Sequence, residues 1–166
     1  MFNGTGLAKF RGSMRLRAPR TPEPEELVTV HIDLPEDVAP KGPPRKILLL
    51  EDRTDFRQVL RDYLVSCSYQ VISVNSGIQG LHAVMKGAFD LILCDMMMPR
   101  MGGEMFYWAV TRVRPATRQR FIFFTGHKHN APLEFFFRRV NATVLYKPFK
   151  LGALDSAICD VLRKLG

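Results

Sequence analysis

Acidic residues follow two of the most apolar runs in this sequence. The run KILLL, residues 46–50, leads directly into Glu51 and Asp52, and the run LILC ends at Asp95. Carboxylates that meet at one place repel each other, and a hard cation such as Mg²⁺, which prefers all-oxygen ligands, relieves that repulsion. A carboxylate is also a nucleophile toward phosphorus and then forms an aspartyl phosphate. These residue types therefore predict metal-assisted phosphoryl chemistry, provided that the fold brings them together.

Two further polar residues follow apolar runs of the same kind. Thr125 ends the stretch FIFFT, and Lys147 comes directly after ATVLY. A phosphoryl group in transfer is anionic, so a hydroxyl and an ammonium group can both stabilise its oxygens. Taken singly, each residue has an ordinary explanation as a helix cap, a turn residue or a surface charge. Their common place after apolar runs is what predicts a site.

Apolar periodicity predicts five strands that alternate with five helices. Short continuous apolar runs indicate buried strands, whereas apolar residues three and four apart indicate helices. The strands are predicted at 46–50, 69–74, 90–95, 121–126 and 142–146, and the helices at 54–67, 76–87, 104–114, 131–140 and 151–165. We expect Thr54 and Ser76 to cap two of the helices. This alternation predicts an α/β fold with a parallel sheet covered on both faces, in which ligands bind beyond the carboxyl ends of the strands.

Composition restricts the class of protein. No apolar run approaches the ~18 residues of a membrane helix, and the N-terminus lacks the apolar centre of a signal peptide. Cys67, Cys94 and Cys159 show no metal-like spacing, which favours reduced thiols and a cytoplasmic location. The net charge is +8, but the bases are scattered along the chain without interleaved aromatic residues. We therefore expect no direct nucleic-acid binding.

From Arg45 to Gly166 the sequence resembles the receiver domains of bacterial two-component response regulators. The resemblance rests on four motifs in order: LLLED, CDMMMPRMGG, FFTG and YKPF. It implies a flavodoxin-like, doubly wound (βα)5 fold with the strand order 2-1-3-4-5. It also implies that this domain, residues 45–166, transfers signals and is not an enzyme, apart from self-phosphorylation by small phosphodonors and slow autodephosphorylation.

The resemblance assigns roles to the polar residues. Asp95 would be the phosphoacceptor. Glu51, Asp52, Asp95 and the backbone carbonyl of Met97 would bind Mg²⁺, with Asp52 a more direct ligand than Glu51. The phosphoryl donor would be a histidine kinase or a histidine phosphotransfer protein, and the receiver of the signal a downstream protein.

The switch expected in this family is altered here. By the resemblance, Thr125 and Lys147 bind the phosphoryl group, and the bond between Lys147 and Pro148 is cis. Val144 stands where the family usually has a switching aromatic residue, and Tyr146 lies two positions further along. Gly102 stands where an acid or amide is common. We expect signalling through the fourth helix and fifth strand, on a partner surface made by Phe135, Phe136, Phe137, Val144 and Tyr146.

Other classes of function fit the sequence less well. A Mg²⁺-dependent phosphohydrolase with an aspartate nucleophile would carry a second aspartate at position 97, where this chain has Met97. A non-phosphorylated, receiver-like binding module would not need the acid, threonine and lysine set. No helix-turn-helix segment supports DNA binding, and we expect no output domain after the fifth predicted helix. We therefore expect the domain to act through protein contacts or as part of a longer protein.

Residues 1–44 have a different character. They hold seven of the eleven prolines, which indicates an extension or linker. The stretches GTGLA, RGSMRLRAP and VTVHIDLPE resemble the end of a histidine-kinase ATP-binding domain. This predicts a strand at 27–35 paired with residues 12–18, in the C-terminal part of a hybrid histidine kinase or its descendant. The segment is too short to close an ATP pocket.

Overall fold

Five parallel strands alternate with five α-helices in the computed structural model, which describes residues 44–165. The strands are β1 (Lys46–Leu50), β2 (Gln70–Val74), β3 (Leu91–Asp95), β4 (Phe121–Thr125) and β5 (Thr143–Tyr146). The helices are α1 (Thr54–Ser66), α2 (Gly77–Lys86), α3 (Gly103–Val113), α4 (Ala131–Val140) and α5 (Leu151–Lys164), and a 3₁₀ turn at Pro115–Thr117 precedes β4. Each of the five strands and five helices predicted between residues 46 and 165 is present, and no end differs from its prediction by more than one residue.

The strand order of the sheet is β2-β1-β3-β4-β5, and all the pairings are parallel. This confirms the predicted flavodoxin-like topology. The chain moves to β2 on one side of β1 and to β3 on the other, so the connections diverge at the carboxyl ends of β1 and β3. Such a reversal opens a crevice at that edge. The register places Leu50 beside Cys94 and Asp95 beside Phe124.

Helices cover both faces of the sheet. One apolar core lies between the sheet and helices α2, α3 and α4, and the other lies between the sheet and helices α1 and α5. The first is rich in aromatic rings, and Phe121 and Phe123 stack with their centroids 5.4 Å apart. Helix α2 packs so closely that a Cβ added at Gly80 would lie 2.4 Å from Leu50 Cδ2. The strands therefore hold their carboxyl ends in a rigid, fully packed sheet.

Local capping agrees with the sequence for one helix and not for another. Ser76 caps α2 as predicted, because its hydroxyl accepts a hydrogen bond from the Gln79 N–H. The prediction for Thr54 is wrong, since Arg53 is the N-cap of α1 and Thr54 is the first helical residue. The Arg53 N–H donates to Glu51 Oε1 at 3.3 Å. That bond is made by the N-cap residue itself, which lies one residue before the predicted cap.

Several predictions concern residues outside the described range of 44–165. These are the extension over residues 1–44, the strand at 27–35 and its pairing with residues 12–18, and all of them stay predictions. Within the described range, no helix is both long enough and apolar enough to cross a membrane.

Candidate functional site

The polar residues singled out in the sequence come together at the carboxyl edge of the sheet. Glu51 and Asp52 follow β1, Asp95 ends β3, Thr125 ends β4 and Lys147 follows β5. Glu51, Asp95 and Thr125 are buried, and Asp52 is half-buried. Buried polar groups need partners, so the contacts among these side chains decide how the site works.

Lys147 links the two buried carboxylates. Its Nζ lies 2.6 Å from Glu51 Oε2 and 3.0 Å from Asp95 Oδ2. The Lys147 N–H donates to the Thr125 carbonyl at 2.8 Å, which fixes the start of this side chain against β4. Its Nζ also lies 4.8 Å from the centroid of the Phe56 ring, a cation–π distance. The Lys147–Pro148 bond is cis, as the resemblance implied.

Three carboxylates meet around this single ammonium group. Glu51, Asp52 and Asp95 each offer an oxygen, and these oxygens all lie within 4.8 Å of one another. One lysine cannot neutralise three carboxylates, so two negative charges remain uncompensated among these groups. An all-oxygen set with excess negative charge suits a hard divalent cation. These side chains therefore fit Mg²⁺ in their chemistry and in their spacing.

Asp95 is held in one orientation by two donors. Lys147 binds Oδ2, and the Met97 N–H donates to Oδ1 at 3.3 Å. Met97 turns its side chain outward with 51% of it exposed, whereas Met96 and Met98 are buried. The backbone of Met97 therefore lies beside the Asp95 carboxylate, where the resemblance expects a carbonyl ligand.

Paired glycines bring the loop after Asp95 back against its own strand. A Cβ added at Gly103 would lie 2.8 Å from the Asp95 carbonyl oxygen, and one at Gly102 would lie 2.9 Å from the Met96 carbonyl oxygen. Both distances are too short for any side chain. The two glycines are thus required by the close packing of the loop that carries Met97. Glycine in place of an acid or amide at position 102 therefore preserves the backbone course of this loop.

Burial sets the electrostatics of two neighbouring groups. The pKa of Glu51 is raised, chiefly by burial, while the hydrogen bond from Lys147 lowers it and the charge of Asp95 raises it. Complete burial raises the pKa of the Cys94 thiol well above its usual value, so this cysteine stays neutral. Cys94 is therefore a packing residue.

Thr125 is connected to the following loop. Its Oγ1 accepts a hydrogen bond from the His127 N–H at 3.1 Å. As a hydroxyl it keeps one proton to donate. No hydrogen bond joins Thr125 to Asp95 in the part of the chain that the structure describes.

Arg57 contributes to the site and was missed in the sequence. Its guanidinium donates to the backbone carbonyls of Glu51 at 2.7 Å and Asp52 at 3.2 Å, and so holds the acidic pair in place. The available signal was its position one turn into α1, five residues after Asp52. That signal is weak, because an arginine in a first turn is common for other reasons.

The expected partner surface is only partly accessible. Phe136 and Phe137 are buried, with 2% and 7% of their surface exposed, whereas Phe135 is 62% exposed. Tyr146 is 38% exposed, and Val144 is half-buried against the aromatic core. The contact surface expected on α4 and β5 is thus reduced to Phe135 and Tyr146, because a helix cannot turn three consecutive side chains to one face.

Comparisons with known proteins point to one family. Residues 47–159 match the family model described as the response regulator receiver domain. The "Probable chemotaxis protein CheY" of Rhizobium etli is 30% identical over 115 residues, which cover 68% of this chain and 88% of that protein. The response regulator receiver protein CpdR of Brucella abortus is 31% identical over 118 residues, covering 71% of this chain and 97% of that protein.

A solved structure and a longer relative complete the comparison. The receiver domain of the sensor histidine kinase PA1611 from Pseudomonas aeruginosa, with a magnesium ion coordinated in its active-site cleft, superposes with a TM-score of 0.65 at 25% identity. The match covers 72% of this chain and 98% of that domain. The matched region spans only 52% of the transcriptional regulatory protein PcoR of Escherichia coli, at 29% identity.

Proposed function

The chain belongs to the family of response regulator receiver domains, and on that premise we propose that Asp95 accepts a phosphoryl group from a histidine kinase or a histidine phosphotransfer protein. One observation carries the proposal. Asp95 is almost fully buried at the carboxyl edge of the sheet, yet its two oxygens are held by Lys147 and the Met97 N–H beside two further carboxylates. A carboxylate held only for packing would not need this arrangement.

The proposed transfer is a substitution at phosphorus. An oxygen of the Asp95 carboxylate forms the new P–O bond while the P–N bond of the donor phosphohistidine breaks, and the electron pair of that bond returns to the imidazole. Glu51, Asp52, Asp95 and the Met97 carbonyl would hold Mg²⁺, which when bound neutralises charge on the phosphoryl oxygens. Lys147 sits within hydrogen-bond distance of Asp95 and supplies a second positive charge to the same oxygens.

Thr125 and Lys147 would hold the product. The Thr125 hydroxyl accepts from His127 and has its own proton free to donate to a phosphoryl oxygen. Lys147 already connects β5 to Asp95, and its N–H is bonded to the carbonyl of Thr125. A phosphoryl group that is bound by both residues would therefore move the ends of β4 and β5 together. These ends lie next to the surface that carries Phe135 and Tyr146.

Receiver domains pass signals between histidine kinases and downstream targets, and they are not in general enzymes. For this chain we propose that any catalysis is limited to self-phosphorylation from small phosphodonors and slow autodephosphorylation. Met97 supports this limit, because its thioether cannot act as the general acid that a phosphohydrolase needs. A downstream protein would contact Phe135 and Tyr146.

The cysteines support a cytoplasmic location. Cys67, Cys94 and Cys159 are all free thiols in the described part of the chain. Reduced cysteines are typical of reducing compartments. We therefore propose that the phosphoryl donor and the downstream protein meet this domain in the cytoplasm.

Amide-shift mapping with a beryllofluoride mimic of the phosphoryl group tests the switch. With Mg²⁺ present, the Thr125 and Lys147 amides should shift, together with amides of α4 and β5 near Phe135 and Tyr146. Asp95→Asn, which removes the carboxylate that receives the mimic, should show none of these shifts. Shifts confined to the loop after Asp95 would contradict transmission to this face.

A further inference from the structure

Five basic side chains gather at the opposite edge of the sheet, where the strands begin. Arg45 precedes β1, Lys46 begins it, Arg120 precedes β4, Lys86 ends α2 and Arg114 follows α3. We call these five residues the amino-edge surface. In the sequence they are spread over 76 positions, from 45 to 120, and looked scattered. The parallel fold brings them together because each lies at a strand start or a helix end.

One carboxylate, that of Asp90, forms salt bridges with two of these bases. Asp90 Oδ1 lies 3.3 Å from an Arg45 nitrogen and 4.0 Å from an Arg120 nitrogen, and its Oδ2 accepts from the Lys46 N–H at 2.8 Å. Within residues 44–165, Asp90 is the one acid that forms salt bridges with the amino-edge surface. The surface therefore keeps a clear excess of positive charge, and this charge can attract an acidic partner.

Helix stabilisation explains only part of this charge. Lys86 lies in the last turn of α2, and Arg114 donates to the Met85 carbonyl at 3.4 Å, so both favour the negative end of that helix. Arg120 donates to the carbonyls of Ala116 and Asp90, both at 3.3 Å, and the Lys46 ammonium lies 5.1 Å from the centroid of the Phe89 ring. These contacts with backbone carbonyls and a ring position the two side chains but do not neutralise their positive charge.

Two clefts with apolar walls open among these bases. The first, about 360 Å³, lies between β2 and α2, and the second, about 410 Å³, lies between the start of β3 and the 3₁₀ turn. Lys46 and Lys86 border the first cleft, Arg114 and Arg120 border the second, and Phe89 lines both. Ile72, Val74 and Ala83 supply the wall of the first, and Ala88, Ile92 and Ala116 that of the second.

We propose that the amino-edge surface is a docking site for an acidic peptide segment of a partner protein, whose carboxylates face the five bases and whose apolar side chains enter the two clefts. The partner needs both the carboxylates and the apolar side chains. Positive charge alone would attract any polyanion, but apolar walls gain only from burying apolar groups. The walls favour a peptide over a nucleic acid, because Phe89 is 6% exposed and offers no ring on which a base could stack.

This docking is independent of the phosphoryl site. Each central strand has five residues, which at ~3.3 Å per residue places the two edges roughly 16 Å apart. The bases do not contact Asp95, Glu51 or Lys147. Asp95→Asn should therefore leave peptide affinity unchanged, so failure of this proposal and failure of the proposed phosphotransfer are separate results.

The test uses the full chain and short fluorescent peptides. The first peptide alternates glutamate with leucine, the second replaces every leucine by serine, and the third replaces every glutamate by lysine. In fluorescence anisotropy, the glutamate–leucine peptide should bind most tightly, and raising the salt concentration should weaken it, because exposed charges are screened. The lysine–leucine peptide should not bind.

Matched variants locate the binding. Lys86→Gln with Arg114→Gln should weaken the glutamate–leucine peptide about tenfold, since rim charges contribute to such encounters. Lys164→Gln with Arg61→Gln removes the same charge from α5 and α1 and should change affinity less than about twofold. Ala88→Glu, at an exposed position of the second cleft, should also weaken binding without removing any base.

Three results would overturn the proposal. One is equal affinity for the leucine and serine peptides, which would leave the clefts without a role. Another is equal loss in the Lys86/Arg114 pair and the Lys164/Arg61 pair, which would mean a general charge effect. The last is tighter binding of a DNA duplex or of anionic vesicles, again dependent on Lys86 and Arg114, which would assign the surface to a different class of partner.

Discussion

Replacing Lys147 with methionine isolates the electrostatic role of the ammonium group. Methionine keeps an unbranched side chain of similar length over Phe56, but it removes the ammonium group that, among residues 44–165, forms the salt bridges to Glu51 and Asp95. Breaking a buried ion pair costs about 3–5 kcal/mol, because a buried charge is left without its partner. Lys147 is 17% exposed, so we expect the lower end of that range, about 3 kcal/mol near pH 8.

This loss of stability should depend on pH in a definite direction. Burial already raises the pKa of Glu51, and Lys147 lowers it, so the substitution should raise it further. A carboxyl group with a raised pKa in the folded state binds its proton more tightly there than in the unfolded chain. Its contribution to stability is present at low pH and is lost as the pH rises through the folded-state pKa. The deficit of Lys147→Met should therefore shrink as the pH falls from about 8 to about 5.

Urea unfolding of the full chain at both pH values, without divalent cations, measures this deficit. Lys150→Met is the matched control, because Lys150 is exposed and lies three residues further along the same segment. It should change the free energy of unfolding by less than about 0.5 kcal/mol at either pH. An equal loss at the two pH values for Lys147→Met, or an equal loss in the control, would refute the electrostatic reasoning.

Three further outcomes follow from the same geometry. Asp52→Ala should weaken Mg²⁺ binding in calorimetric titrations more than Glu51→Ala does, because Glu51 is already neutralised by a lysine at 2.6 Å; equal titrations would undo this ranking. As the pH is lowered, the Mg²⁺ affinity of the wild type should begin to fall at a higher pH than it would if Glu51 had the pKa of an ordinary glutamate, because the pKa of Glu51 is raised and a metal ligand must be deprotonated. A pH-independent affinity would contradict this. Phe136→Ser should lower the unfolding free energy by about 3–5 kcal/mol while Phe135→Ser changes it by less than about 0.5, and similar urea midpoints for the two would argue against the assigned burial.

Much of the fold could be predicted from local sequence patterns. Strands buried on both faces must be continuously apolar, so KILLL and LILC mark β1 and β3 without ambiguity. Parallel topology then forces the residues after those strands to one edge of the sheet. For this reason Glu51, Asp52 and Asp95 could be grouped before any distance was known.

The remaining features depend on tertiary contacts that no local pattern encodes. The N-cap of α1 is Arg53, whose N–H is bonded to Glu51, and not the predicted Thr54. The hydrogen bonds from Arg57 to the backbone of the acidic pair have no sequence signature of their own. The amino-edge surface was hidden because its bases are distant in sequence. Consecutive phenylalanines also give no indication of which of them faces solvent, and the packing of α4 against α3 and β4 decides it.

The central claim is that Asp95 is the phosphoacceptor. Its most direct test is the intact mass of the full chain after incubation with acetyl phosphate and Mg²⁺. The wild type should gain the mass of one phosphoryl group, and the gain should disappear in Asp95→Asn and in excess chelator. A persistent adduct on Asp95→Asn, or full labelling of the wild type without a divalent cation, would contradict the account.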